Sequence, residues 1–534
     1  MQSFRHHLLV FALYALIALP VRGQTFATDD SVLQRIWDEA MTNSQLPKLA
    51  HELLDVIGPR LVGTPQMQKA HDWAVAKYAG WGITARNEQW GKWRGWERGI
   101  THIDLLAPRV RTLEGTMLAW SPGTPKNGIQ AGTIILPEVT DSVAFKNWLP
   151  NVKGKFVLIS MPQPTGRPDK DWEEFATKES FEKMKAERDT LRSRWQARIR
   201  KTGLNQQRLA RALDEAGAAG IISSNWSNGY GVNKIFGTTT KKAPAIDLSL
   251  EDYGLIYRLT ENGGNPLLRL VAEAKFLGAV PAYNTIGEMR GGAKGDEYVM
   301  LSAHFDSWDA SSGATDNGTG TILMMEAMRV LKKVYPHPKR TILAGHWGSE
   351  EQGLNGSRAF VKDHPDIVEK LQALFNQDNG TGRIERMSAG GYIDAGEFLA
   401  RWLARVPSEV TQHIKLEFAG MPSGGGSDNA SFIAAGAPGF GLGANSWNYG
   451  TYTWHTNRDT YDKLVFDDLK NNVVLVASLV YLASEDEQFV GRTKRLMPID
   501  KTTNKRREWP VARDAERAGG LEEEKKPANA VRSP

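Results

Sequence analysis

Short hydrophobic runs alternate with polar, glycine-containing segments across residues 298–460. The runs at residues 298–303, 341–344 and 371–375 are rich in β-prone residues, and each leads into a polar segment that carries histidine or carboxylate side chains. Runs of this length bounded by turn residues predict buried strands. In open α/β sheets, sites form beyond the carboxyl ends of the strands. The pattern therefore predicts an α/β domain in which these polar segments meet at one edge of a sheet.

Hydrophobic positions spaced three to four residues apart predict helices around these strands. The predicted helices are residues 31–53, 66–80, 318–334 and 472–483. Two further strands are predicted at residues 82–90 and 100–106, ahead of the central region.

The pattern changes near residue 113, where short strand-like runs begin to alternate with helical segments. Residues 169–200 have the spacing of one long amphipathic helix with dense mixed charge on its other faces. The α/β pattern resumes at residues 283–287. We therefore predict an inserted second domain, residues 113–274, between two parts of a catalytic domain, residues 24–112 and 275–490.

Neither end of the chain shows this periodicity. An apolar run at residues 8–19 follows Arg5 and precedes the small residues Val21 and Gly23, which is typical of a secretory signal peptide over residues 1–23. This run is too short to cross a bilayer comfortably. We expect a secreted or periplasmic protein with no stable membrane anchor after cleavage. Residues 491–534 are polar and predict a flexible tail.

The length, charge and cysteine content of the chain exclude several classes of protein and of catalysis. The 534 residues are 41% hydrophobic and 24% charged, as in ordinary soluble proteins, and the length predicts two or more folded units. The net charge of +5 comes without a long basic block in the folded part, which argues against nucleic-acid binding. The chain has no cysteine, so disulfides and thiol catalysis are excluded.

The polar segments hold side chains of the metal-binding type. Histidine and carboxylate ligands without a thiolate suit zinc, cobalt or manganese. A dinuclear site needs one bridging carboxylate and about two further ligands for each ion. The five candidates are His304, Asp316, Glu351, Asp378 and His455. Asp316 is favoured as the bridge because it stands at a predicted helix start, where backbone N–H groups can orient it.

Two neighbouring carboxylates extend this set. Glu350 and Glu351 are adjacent, so their side chains diverge, and one can bind metal while the other acts as a general base. Asp306 follows His304 by two residues and points to the same face of an extended strand end. Taken singly these signals are weak, because a lone buried histidine is usually structural and a Glu-Glu pair is usually solvated.

In combination, these segments resemble the co-catalytic zinc exopeptidases of peptidase family twenty-eight, and the carboxypeptidase Q branch most of all. The resemblance implies a zinc-exopeptidase catalytic domain with three α/β/α layers and a mixed central sheet. The insertion resembles a β-rich protease-associated domain that carries an extra long helix. The matching motifs are residues 302–308, 313–318, 350–353, Asp378, residues 427–432 and residues 454–460.

By position, the resemblance implies a role for each candidate residue. Two Zn²⁺ ions, for which Co²⁺ or Mn²⁺ could substitute, would share Asp316, with His304 and Asp378 completing one ion and Glu351 and His455 the other. Glu350 becomes the general base, and Asp306 becomes the partner that orients His304.

We therefore predict an exported, metal-dependent exopeptidase that hydrolyses short peptides or dipeptides by a water shared between two metals. A related amidase or a glutaminyl-cyclase-like enzyme is the alternative, and relatives with cyclase activity use one zinc. A non-catalytic binding scaffold is less favoured because no ligand is lost. Dimers are common in the family, so the resemblance leaves a homodimer open.

The sequence does not distinguish an enzyme that recognises the free amine of a peptide from one that recognises its free carboxylate. A free carboxylate would need a cation, and Arg358, Arg383 and Arg458 are candidates. Several aromatic residues near the proposed ligands suggest an aromatic-walled pocket. These residues are Trp308, Trp347, Trp447, Tyr449 and Trp454.

Overall fold

The structure is a computed structural model and describes residues 28–521. The predicted signal peptide and the last thirteen residues lie outside this range. The chain opens with α1 (Ser31–Thr42), α2 (Leu46–Ala50, which continues as a wider turn over His51–Ile57), α3 (Pro65–Gly80), β1 (Thr84–Ala107) and β2 (Arg111–Leu113). Asp30 caps α1, and Thr64 caps α3 by accepting the N–H of Met67.

The predicted insertion contains five strands and five helices, which are β3 (Gly115–Met117), β4 (Ile129–Ile135), α4 (Ser142–Trp148), β5 (Phe156–Leu158), α5 (Asp169–Phe175), α6 (Lys178–Lys201), α7 (Gln206–Glu215), β6 (Gly220–Ser223), β7 (Ala245–Leu248) and α8 (Leu250–Glu261). Strands β4 to β7 pair in parallel in that order, and β3 closes the edge antiparallel to β7.

Two features of this region differ from the sequence prediction. Helices rather than strands supply most of its regular structure, so it is not β-rich in itself. The single helix predicted at residues 169–200 is two helices, α5 and α6. Thr177 interrupts it, because its extended backbone and its hydroxyl, which accepts the N–H of Ser180, start a new helix.

The second part of the chain supplies most of the central sheet. Its elements are β8 (Leu267–Met289), β9 (Lys294–His304), α9 (Thr319–Val334), β10 (Arg340–Trp347), α10 (Asn355–Asp363), α11 (Pro365–Glu369), β11 (Leu371–Gln377), β12 (Ile384–Ser388), α12 (Ala395–Leu403), α13 (Ser408–Thr411), β13 (Lys415–Glu417), α14 (Asn429–Ala434), β14 (Gly439–Ala444), α15 (Tyr449–Tyr452), α16 (Phe466–Glu485) and β15 (Ala518–Gly519).

The central sheet is mixed and lies between two helical layers. Its order is β13-β12-β14-β11-β9-β10-β8, in which β14, β11, β9 and β10 are parallel. Strand β8 is antiparallel to β10, and β12 is antiparallel to β14 but parallel to β13. Alternate residues of β9 face opposite sides. Val299 and Leu301 join the core formed with α9 and α16, whereas Met300 packs in the core of Phe360 and Phe432. This is the predicted three-layer arrangement.

Strands β1 and β8 form one long antiparallel ribbon that joins the two regions. The end of β8 near Met289 pairs with β10 of the central sheet, and its start near Leu267 pairs with β4 of the insertion. Sequence analysis predicts two strands where β1 is continuous, because register shifts at Gln89/Gly91 and Arg98/Thr101 break the alternation of side chains. The predicted boundary at residue 274 falls inside β8.

Residues 491–521 differ from the predicted flexible tail because they pack along the domain. The Trp509 ring lies 5.2 Å from the Tyr392 ring, and the Glu516 N–H donates to Asn355 Oδ1 at 2.8 Å. Strand β15 then pairs in parallel with β1. Isolated contacts with distant elements hold this segment, and such contacts leave no periodic pattern. None of the helices within residues 28–521 combines the length and hydrophobicity of a membrane span.

Candidate metal centre

The carboxyl ends of three adjacent parallel strands bring most of the predicted residues together. His304 is the last residue of β9, Asp378 directly follows β11, and Glu350 and Glu351 lie in the loop after β10. The His304 side chain is 1% exposed. Because these strands run parallel, their polar loops converge at the same edge of the sheet.

Asp316 lies in a short turn, Ala314–Gly318, immediately before α9. Its backbone is not helical, with φ −128° and ψ 86°, and its peptide bond to Asn317 is cis. The N–H groups of Thr315 and Asp316 donate to the carboxylate of Asp459 at 2.8 and 2.9 Å. Asp459 therefore fixes the main chain of Asp316, whereas sequence analysis expected backbone N–H groups at a helix start to orient the Asp316 side chain.

The five proposed ligands form two groups that share Asp316. In one group, His304 Nε2 lies 3.0 Å from Asp378 Oδ1 and 3.3 Å from Asp316 Oδ1. In the other, His455 Nε2 lies 2.8 Å from Glu351 Oε2 and 3.3 Å from Asp316 Oδ2. The two oxygens of Asp316 thus face different histidines, which is the placement that a bridging carboxylate requires.

Asp306 lies beside His304, but its carbonyl makes a closer contact than its carboxylate. The Nδ1 atom of His304 lies 3.0 Å from the main-chain carbonyl of Asp306 but 3.8 Å from its carboxylate. That carboxylate instead accepts the N–H groups of Glu350 and Glu351, at 3.0 and 3.2 Å. The Asp306 carbonyl orients the histidine, while its side chain holds the glutamate pair in place.

The raised pKa values of the buried glutamates at the centre are those expected of carboxylates that bind cations. Burial, followed by the Asp316 carboxylate, raises the pKa of Glu351 well above its ordinary value. Burial also raises the pKa of Glu350, and Asp378 and Asp428 raise it further. The Oε1 atom of Glu351 is buried without a hydrogen-bond partner among the described residues. Carboxylates crowded in this way are stabilised as anions by positive charge, and a histidine–carboxylate set suits Zn²⁺.

Arg60 is a further important residue that sequence analysis did not single out. It is fully buried, and its guanidinium donates to the carbonyls of Phe305, Ser312 and Gly313. It therefore shapes the loop between His304 and Asp316. Burial lowers its pKa to about 10, with Asp459 opposing that change. The turn-forming residues Gly58 and Pro59 immediately before Arg60 are the signal that the sequence offers for this position.

Asp428 and Tyr449 also lie at the centre. Asp428 is fully buried just before α14, and burial raises its pKa to about 7. Burial raises the pKa of Tyr449 well above its ordinary value, and the nearby carboxylates of Asp316 and Asp378 raise it further. Motif residues 427–432 pointed to this region without giving a role to Asp428.

The predicted aromatic wall is only partly present. The Trp454 ring stacks on His455 at 4.0 Å, and the Trp308 ring lies 6.1 Å from that histidine. Trp347 is instead fully buried in the core with Phe360 and Phe432, and Trp447 is 59% exposed.

The insertion supplies another wall of the centre through its loop between β6 and β7. The Ile235 N–H donates to the His455 carbonyl at 2.8 Å, and the Phe236 ring meets the His455 ring edge-on at 5.3 Å. Asn233 and Asn457 exchange two hydrogen bonds, of 2.9 and 3.0 Å. The loop that carries His455 is therefore held by residues more than two hundred positions earlier in the chain.

Sequence comparisons agree with this geometry. Residues 284–480 match the profile of Peptidase family M28. Carboxypeptidase Q of Mus musculus is 25% identical over 443 residues, which cover 83% of this chain and 86% of the mouse protein. Carboxypeptidase Q of Homo sapiens is 24% identical over 444 residues, which cover 83% of this chain and 85% of the human protein.

Solved structures show the same fold. The Peptidase M28 precursor of Shewanella amazonensis superposes with a TM-score of 0.63 at 24% identity, covering 88% of this chain and 98% of that one. BSAP, a zinc aminopeptidase of Bacillus subtilis, gives a TM-score of 0.53 at 19% identity, covering 86% and 97%. The profile match assigns residues 284–480 to Peptidase family M28, and together with the carboxypeptidase Q relatives it identifies this chain as a metallopeptidase.

Proposed function

We propose that this metallopeptidase is a two-zinc exopeptidase that cleaves short peptides, including dipeptides. The observation that carries this proposal is the pair of three-ligand groups that share Asp316. A single-ion site would need only one of the two groups. The presence of both, on opposite oxygens of one carboxylate, favours two ions.

The residues that would hold the ions follow from the geometry. His304 and Asp378 would complete one Zn²⁺ site with Asp316, and Glu351 and His455 would complete the other. When bound, zinc supplies Lewis acidity that acidifies a water molecule and polarises a peptide carbonyl.

Glu350 is the general base in this proposal. It belongs to neither ligand group, yet it lies close enough to His304, Asp378 and Glu351 to be influenced by their charges. Its raised pKa suits a group that accepts a proton from the attacking water and then donates it to the leaving amine. Asp306 supports this role by fixing the backbone of the glutamate pair through two hydrogen bonds.

The proposed substrate class and location rest on further observations. The insertion and the ring of Trp308 wall the His455 side of the centre, which favours small substrates over folded proteins. The relatives are named for carboxypeptidase and aminopeptidase activity, both of which are exopeptidase activities. The signal-like residues 1–23 support export to the periplasm or the exterior.

Replacement of Glu350 tests the proposal. We expect Glu350→Gln to lower kcat on a dipeptide by roughly 10²- to 10⁴-fold, because the amide cannot accept the proton, which is the usual contribution of a general base. Metal content, measured by mass spectrometry of the purified variant, should stay at two ions per chain. Glu369→Gln, at an exposed position, is the matched control and should keep full activity.

Near-full turnover of Glu350→Gln would show that another group is the base. Failure of the zinc-loaded protein to cleave any dipeptide, N-acetylated peptide or C-amidated peptide would overturn the exopeptidase proposal. One bound zinc together with cyclase activity would instead favour the glutaminyl-cyclase-like alternative.

A further inference from the structure

Lys234 brings a positive charge from the insertion to the edge of the candidate metal centre. Its ammonium donates to the Gly450 carbonyl at 3.0 Å and lies 3.8 Å from the centre of the Trp454 ring. Trp454 in turn stacks on His455 at 4.0 Å. Two ring contacts therefore separate this ammonium from a proposed metal ligand. Its partners, a carbonyl and an aromatic face, position the ammonium without neutralising it.

No carboxylate of residues 28–521 forms an ion pair with Lys234. The side chain is partly buried, and burial lowers its pKa while Asp316 opposes this effect. A desolvated cation without a counter-ion is costly unless a ligand supplies the negative charge.

The arginines considered from the sequence include two that are already neutralised. Arg383 pairs with Asp468 at 3.3 Å, and Arg458 pairs with Glu114. Neither is therefore a free carboxylate receptor in this structure. Lys234 keeps its charge available beside the His455 side of the centre.

Space is present next to Lys234. Lys234 and Phe236 both line a cavity of about 330 Å³ within the insertion, together with Ser223, Ser224 and Asn225. The same two residues touch Trp454 and His455. Lys234 and Phe236 therefore form a wall between this cavity and the candidate metal centre. The size of the cavity matches the lower range of small-molecule sites.

We propose that Lys234 binds the free C-terminal carboxylate of a short peptide whose scissile bond lies at the candidate metal centre. One residue spans roughly 3.5 Å of extended chain, and an ammonium–carboxylate hydrogen bond adds about 2.8 Å. These lengths are comparable with the two successive ring contacts, of 3.8 and 4.0 Å, that separate the ammonium from His455, so the expected spacing is one residue between the cleaved bond and Lys234. The chain would then act as a dipeptidase or a carboxypeptidase, an inference that rests on the exopeptidase function proposed above.

The test compares matched substrates and variants of the full, zinc-loaded chain. The substrates are a dipeptide with a free carboxylate, the same dipeptide as its C-terminal amide, and a dipeptide amide with glutamate in second place. Lys234→Met keeps an apolar stem on Trp454 but removes the charge, whereas Lys234→Arg keeps the charge. Lys126→Met, at an exposed position of the insertion, is the control.

We expect the unmodified enzyme to prefer the free acid. Lys234→Met should lower kcat/KM on the free acid by roughly 10- to 100-fold, mainly through a higher KM, because a hydrogen bond to a charged group is lost. The preference for acid over amide should shrink by the same factor, and Lys234→Arg should restore most of it. If the unmodified enzyme cleaved only the dipeptide amide with glutamate in second place, it would recognise a side-chain carboxylate rather than the C-terminal one, and the inference would be wrong.

Equal losses on the acid and the amide would show that Lys234 only supports the fold, and they would overturn the inference. An unchanged preference in Lys234→Met would also overturn it. Equal cleavage of acid and amide by the unmodified enzyme would sink the inference while leaving the exopeptidase proposal intact. No cleavage of any substrate would instead count against that earlier proposal.

Discussion

His304 and His455 hold matching places around Asp316, but the chain supports them in different ways. His304 ends a buried strand, is 1% exposed, and receives its orientation from the adjacent Asp306 carbonyl. His455 lies on a loop with a positive φ of 59°, is 13% exposed, and its Nδ1 atom has no partner among the described residues. The central sheet builds one half of the centre, whereas the other half depends on the insertion.

Their electrostatic surroundings differ as well. Burial lowers the pKa of His455 to about 4. Burial would also lower the pKa of His304, but the carboxylates of Asp378 and Glu350 raise it well above its ordinary value. The half built by the sheet is therefore the more strongly anionic one. This difference suggests that the two halves bind metal with unequal affinity and can be separated by mutation.

The largest effect is expected where the halves meet. Asp316→Ala removes the shared ligand, so we expect loss of both ions and a fall in kcat of at least about 10³-fold. His455→Ala should lose one ion and keep the other. Metal content and dipeptidase activity of both variants, with unfolding temperature as the folding control, measure this directly. Two ions retained in Asp316→Ala would contradict the shared-ligand geometry.

A smaller effect should follow from weakening the insertion's contact with His455. Phe236→Ala removes the ring that packs edge-on against this histidine. Loss of a supporting residue typically weakens metal affinity about 10- to 100-fold, and here only the ion at His455 should be affected. Stepwise zinc titration separates the two ions. Phe175→Ala, at a residue that is 78% exposed in the insertion, is the control.

Equal weakening of both ions in Phe236→Ala would show that the insertion supports the whole centre. In that case the contrast between the two halves would be lost.

The smallest expected effect comes from Asp247 within the insertion. It accepts a hydrogen bond from Asn233, which in turn pairs with Asn457 on the His455 loop. Burial raises the pKa of Asp247 to about 6. A raised carboxyl pKa favours the protonated folded state, so this contribution to stability is complete below about pH 4 and is lost as pH rises through about 6. The loss amounts to about 3 kcal/mol.

Hydrogen exchange of residues 220–248, corrected for intrinsic rates, measures this pH dependence. We expect protection to fall between pH 4 and pH 7 in the unmodified protein and to fall less in Asp247→Asn. The same pH profile in both proteins would show that Asp247 is not the titrating group. Exchange of β9, which carries His304, should not respond to the substitution.

The part of the centre formed by residues at the ends of β9, β10 and β11 was predictable, because each of these residues lies close in sequence to the pattern that indicates it. Each ligand follows its own hydrophobic run within a few residues, and parallel strands bring such ends together. The alternation of Val299, Met300 and Leu301 between two cores is likewise a property of one strand. Neighbouring residues are enough to indicate an α/β domain and the strand-end positions of His304, Glu350 and Asp378, whereas the three layers were implied by the family resemblance.

The remainder depends on contacts between distant segments. Nothing near His455 indicates that Ile235 and Phe236 will hold it. The sequence pattern of β1 predicts two strands, because its bulges disturb the alternation of buried and exposed side chains. The segment around Trp509 has no periodic pattern of hydrophobic residues, although it packs against Tyr392. Sequence analysis paired the Asp306 side chain with His304, but it did not indicate that the carbonyl of the same residue lies closer to the histidine.

The β1–β8 ribbon has a consequence for protein engineering. Both connections to the insertion are long strands rather than surface loops, and one of them, β8, also pairs with β10 of the central sheet and with β4 of the insertion. A shortened enzyme would need a new hairpin, for instance near the paired residues Gly95 and Gly278, to seal the cut ends. Such a truncation would keep the sheet that carries His304 but leave the loop of His455 without its support. Grafting the insertion of a relative would likewise require the ribbon register to be preserved residue by residue.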